Sequence, residues 1–80
     1  MPFLQFIWTD EVISHLNEHG ISPEDFEDVV CIPIGTSESQ SSGLPVAFGY
    51  TSHGRYIIAV YQVLDETTVL PVTAYEVNEP

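Results

Sequence analysis

Apart from twelve carboxylates and four tyrosines, few side chains in this 80-residue sequence can do acid–base, ligand or charge chemistry: three histidines (His15, His19 and His53), one cation (Arg55) and one thiol (Cys31). His15-Leu-Asn-Glu-His19 matches the H-x-x-E-H pattern of some zinc peptidases, in which histidines at i and i+4 share a helix face. A catalytic zinc also needs a third protein ligand and a substrate cleft. A short helix ended by Gly20 offers neither clearly, and Glu11, His15 and Glu18 read more simply as a solvated stripe. No metal and no cofactor is expected. There is no D-x-D-x-D-G calcium loop, and neither Ser37 nor Ser41 lies in a nucleophile elbow. Cys31 follows an apolar helix with no base beside it, so it is expected to be buried rather than reactive.

The field around these groups is negative. Twelve acids against one arginine and no lysine give a formal charge of -11 and a pI near 4.1. Each phosphate contact normally recruits a Lys or Arg, so Arg55 allows about one, and nonspecific nucleic-acid binding is nearly excluded. Seven of the acids and no base lie between Asp10 and Asp28. They form a solubilising face or, more sharply, a docking surface for a basic partner. The single cysteine cannot form an internal disulfide. No apolar run reaches the ~18 residues of a membrane span, and Met1 to Trp8 lacks the basic start of a signal peptide. A cytoplasmic chain without membrane contact is expected. With 44% hydrophobic residues, 1–80 reads as a single small domain with its own core.

The elements that must position these residues can be read from periodicity. Phe3 to Trp8 reads as a first strand from its aromatic and β-branched content. Val12, Ile13 and Leu16 share one helical face, as do Phe26, Val29 and Val30. The first helix has Thr9 as N-cap and Gly20 as its stop. The second has Ser22 as N-cap, Pro23 in the first helical position and Asp25 completing a capping box, with Ile21 placed to staple onto Phe26. The polar stretch 35–43 reads as a loop. Beyond it, Leu44, Val46, Phe48 and Tyr50 alternate as one bulky strand face. Ser52-His53-Gly54-Arg55 supplies a turn, and Tyr56 to Leu64 is apolar on both faces, as in a central strand covered above and below. After a turn at Asp65-Glu66-Thr67, Val69 to Val77 forms the last strand, whose Pro71 implies an edge or a bulge. An edge there would invite a homodimer or a partner's strand. The order β-α-α-β-β-β, two short helices packed on an antiparallel sheet, is α+β.

Four signals in one order, Phe6-Ile7-Trp8 before a helix, His19-Gly20-Ile21-Ser22, Phe48 through Arg55, and Val72-Thr73-Ala74-Tyr75, resemble the BrnT-type toxins, relatives of the RelE and ParE toxins. The likeness covers about residues 5 to 76. It implies a BrnT-like or RelE-like architecture and, for the family, a translation-inhibiting ribonuclease neutralised by a DNA-binding antitoxin. The chain departs from the pattern in its cations. Glu18 stands where the family has the lysine before His-Gly, and Tyr75 where it has the arginine of Ser-Ala-Arg. Ser42, Gly43 and Leu44 replace the charged residues before the second strand, and the chain stops at Pro80, before the usual C-terminal helix. This is the pattern of a divergent member lacking most of the basic residues.

Metal-free RNA cleavage needs a base for the 2′-hydroxyl, an acid for the leaving oxygen and cationic donors for the developing phosphorane charge. The resemblance nominates Arg55 as phosphate clamp, His53 or His19 as acid or base, and Tyr75 as a neutral donor. The plainer alternative makes His19 a helix C-terminal residue, His53 and Arg55 turn residues and Tyr75 a packed strand aromatic. Two functions follow. One is the toxin of a type II toxin–antitoxin system, a BrnT-like ribonuclease with weakened or lost activity, binding RNA only if active. The other is a noncatalytic acidic module that binds a basic partner, such as a DNA-binding antitoxin.

Overall fold

A computed structural model describes residues 4–39 and 43–77. The expectations that fall on Phe3, Ser41, Ser42 and Pro80 lie outside them. The element order is β1 (Gln5–Phe6), α1 (Asp10–Glu18), α2 (Pro23–Cys31), β2 (Gly35–Glu38), β3 (Pro45–Tyr50), β4 (Tyr56–Val63) and β5 (Thr68–Glu76). The fold is α+β, with both helices on one face of a five-stranded sheet ordered β1-β5-β4-β3-β2.

Both helices start where the side chains dictate. Thr9 Oγ1 accepts from the Val12 N–H at 3.3 Å, and Ser22 and Asp25 form a reciprocal capping box. Gly20 ends α1 at φ 70°, a left-handed conformation that glycine adopts without strain, while the N–H groups of His19, Gly20 and Ile21 return to carbonyls in the last turn. Leu16, Phe26 and Val29 then project onto Ala47, Ile57, Ala59 and Ala74 of the sheet. Small alanines on three adjacent strands, paired Ala47 to Ala59 to Ala74, let the helices approach closely. Phe6, Trp8 and Phe26 close one side of this core, the Trp8 and Phe26 rings meeting edge-on at 5.3 Å.

Four features depart from the expected plan. Residues 35–38 form β2, pairing antiparallel with Pro45 to Phe48, so the loop begins only at Ser39. Its Gly35 lies against Phe48, whose ring would be 2.6 Å from any added Cβ. The first strand shrinks to Gln5–Phe6 and pairs parallel with Thr68 and Val69, which makes the sheet mixed rather than antiparallel. A strand preceding two helices returns to the sheet in whatever direction the helical pair allows, which local sequence does not encode. Third, β4 is central, but helices cover only one of its faces. Last, Cys31 is exposed at the end of α2 rather than buried. Pro71 behaves as its chemistry requires: it sits buried beside a register break, where Val60 pairs with Thr73 and Tyr61 with Pro71, leaving Val72 as the extra residue of a bulge.

Candidate functional site

The chemistry-bearing residues converge at one end of the molecule because three chain reversals meet there: the end of α1, the start of α2 and the β3–β4 turn. The turn is organised by Thr51, buried, whose Oγ1 accepts from the N–H groups of His53 and Arg55, each at 3.2 Å. Gly54 completes it at φ 80°. This fixes the backbone from which His53 and Arg55 project.

Arg55 reaches back along the helix-covered side. Its Nε and Nη2 donate to the two carboxylate oxygens of Glu76 at 3.2 and 3.1 Å. The same guanidinium donates to the Gly20 carbonyl and, at 3.3 Å, to that of His19. These carbonyls belong to the C-terminal end of α1, where the helix dipole is negative and a cation is favoured. The hydrogen bond to Glu76 raises the Arg55 pKa, with the charges of Glu76 and Asp25 adding to it, and the same bond lowers that of Glu76. The only Lys or Arg side chain in the protein is thus shared between a fork-to-fork ion pair and a helix end.

Asp25 is the second notable group. One carboxylate oxygen serves the capping box, accepting from the Ser22 N–H. The other, Oδ1, is buried without a hydrogen-bond partner among the described residues, and Nδ1 of His53 lies 3.4 Å from it. The His53 ring itself is largely exposed. An imidazole resting on a buried carboxylate is oriented by it, and orientation is one requirement of an acid–base group.

His19 joins this end through its backbone. Its ring lies edge-on to that of His15 at 5.1 Å, while His15 Nε2 is 2.9 Å from Thr73 Oγ1 and its Nδ1 3.9 Å from Glu18. Glu11, His15 and Glu18 line an open hollow beside Val72. Among the described residues, no group of three or more His, Cys, Asp or Glu side chains is placed to hold a metal ion. Tyr75 points the other way. Strand alternation sets it opposite to Glu76, on the uncovered face beside Ile58. Arg55 and His53 therefore share one end with the His19 carbonyl, and the Tyr75 side chain does not join them.

No protein-family model, curated protein or solved structure matches this chain.

Sequence reading missed Glu76 and gave Asp25 only a capping role. Glu76 comes within reach through the β4–β5 register, which sets it opposite Ile57, two residues beyond Arg55. Cys31 lies apart from this cluster. Partial burial pushes its thiol pKa up, and the neighbouring charges of Glu27 and Asp28 push it further, so it is a poor nucleophile despite its exposure. No helix among the described residues is long and apolar enough to cross a membrane.

Proposed function

We propose that the chain is a toxin-like scaffold whose ribonuclease chemistry is weak or lost, and that it works by binding a basic protein. The observation that carries this reading is the state of Arg55. A phosphate clamp needs a cation whose donors face an incoming anion. The donors of Arg55 are engaged by Glu76 and by the carbonyls of His19 and Gly20. An RNA phosphate would have to displace a carboxylate from a cation already matched to it, against the field of a chain carrying -11. A positively charged protein meets no such obstacle, and its encounter rate rises with the same field.

The BrnT-like ribonuclease is the second reading, favoured by the contact between His53 and Asp25, which supplies an oriented acid–base group. Expression in a bacterial host, with cellular RNA examined afterward, separates the two. The binding reading expects normal growth, intact RNA and salt-sensitive association with a Lys/Arg-rich protein. Growth arrest with RNA cleavage, relieved by Arg55→Ala or His53→Ala, would overturn it in favour of the nuclease.

A further inference from the structure

The guanidinium of Arg55 meets the rest of the molecule along two edges of unlike character. On one edge, Nη1 and Nη2 donate to the carbonyls of Gly20 and His19. Those carbonyls belong to the reversal between the helices, which Gly20 fixes at φ 70°, so this edge is held by backbone. On the other edge, Nε and Nη2 donate to the two oxygens of Glu76 at 3.2 and 3.1 Å. That carboxylate is a side chain, 51% exposed, at the end of β5. The backbone beside it is tied independently, the Val77 N–H donating to the Tyr56 carbonyl at 3.0 Å. Rotation of one exposed side chain therefore frees the second edge while the strand and the carbonyl-held edge stay in place.

We infer that the Nε–Nη2 edge of Arg55 is a latent phosphate site and that Glu76 is its intramolecular occupant, an autoinhibitory contact. The inference rests on the reading that Arg55 is withheld from phosphate, and it assigns the withholding to one exchangeable group. Two donors on one edge of a planar fork match two oxygens of a carboxylate and two oxygens of a phosphate alike. The carbonyls of His19 and Gly20 keep the fork positioned when Glu76 leaves, so a ligand need not order it. Glu76 holds the edge because it is tethered, and its effective concentration at the fork exceeds that of a dissolved anion. The field acts in the same direction. A dissolved anion must approach a chain of -11, and the charge of Asp25 also acts on the guanidinium.

The test follows the Arg55 Nε–Hε resonance of the ¹⁵N-labelled full chain, near neutral pH, as sodium phosphate is added, with sodium chloride at matched ionic strength as control. A saturable shift is expected in Glu76→Gln and in Glu76→Ala, with apparent affinity at least about tenfold above wild type, which stays silent over the same range. Glu38→Gln removes the same charge from edge strand β2 and should be as silent as wild type. Dimethyl phosphate separates a phosphodiester from a free or terminal phosphate, and a saturable shift with either anion supports the site. An unmoved resonance in both Glu76 variants, with amide spectra still those of the folded chain, would overturn the inference and leave the withheld-arginine reading standing. So would an equal shift with chloride or in Glu38→Gln. Failure of both Glu76 variants to fold would make Glu76 a structural partner rather than an exchangeable one, and would overturn it too. A wild type that takes phosphate as readily as Glu76→Gln would retire the inference and that reading together.

Discussion

Ile57 and Ile58 are neighbours on β4 with opposite surroundings. Ile57 is fully buried under the helices with Ala47, Ala59 and Ala74, whereas Ile58 is half-buried in the row between Phe48 and Tyr75. The helix-covered face joins small strand residues to large helical ones and closes completely. The open face uses large residues on β3 and β4 with Tyr75 of β5, and of these Val46, Tyr56 and Val60 are buried while Tyr50 and Tyr75 stay exposed. Tyr50 and Tyr56 meet edge-on at 5.1 Å, and Phe48 and Tyr56 at 6.4 Å. Residues of similar hydropathy thus close a core on one side and leave Tyr50 and Tyr75 exposed on the other.

Exchanging the two isoleucines tests this difference most severely. Ile57→Ala is expected to cost about 2–5 kcal/mol, enough to unfold much of a small marginal domain, because the helices cannot follow the lost volume. Ile58→Ala should cost less than half as much in the same urea titration. Equal losses would mean that the open face is packed as tightly as the core. Gly35→Ala sharpens the contrast at the sheet edge, since its Cβ must push the Phe48 ring aside. A half-exposed ring can give way, so a loss of about 1 kcal/mol is expected, at the low end for overpacking.

The charged end gives smaller effects. Arg55→Ala removes both the Glu76 pair and the donors at the end of α1, and is expected to lower Tm by a few degrees. Arg55→Lys should recover only part, because one ammonium cannot serve two carboxylate oxygens and two carbonyls in a fixed fork. The smallest effect is pH dependence. Glu76 has a folded-state pKa below its unfolded value, so its contribution is present above the ordinary glutamate range and fades as pH falls through the lowered value. Wild type should therefore exceed Glu76→Gln in Tm at neutral pH and converge with it in acid. A gap that widened in acid would contradict the pairing.

Much of this plan can be read from local chemistry. Thr9, Ser22 with Asp25, and Gly20 announce helix ends through hydrogen bonds spanning three or four residues, and Pro71 announces its bulge through a missing donor. What escapes sequence reading is non-local. β2 is polar and exposed, so it lacks the alternation that marks a strand, and only its ladder with β3 defines it. The parallel pairing of Gln5 and Phe6 joins segments more than sixty residues apart. Continuous apolarity in β4 implied cover on both faces, yet periodicity cannot distinguish a face covered by helices from one that is not. At the candidate site, the residue types were visible, but the capture of Arg55 by Glu76 depended on the β4–β5 register.

That capture is the central claim, and the protein's single arginine makes it directly observable. The Arg55 Nε–Hε group gives an unambiguous ¹⁵N NMR signal, which can be followed while a single-stranded RNA oligonucleotide is added. A resonance protected from solvent exchange by its bond to Glu76 and unmoved by RNA is predicted. A saturable shift with RNA, lost in competition with free phosphate, would show that the guanidinium is available to phosphate and would contradict the account.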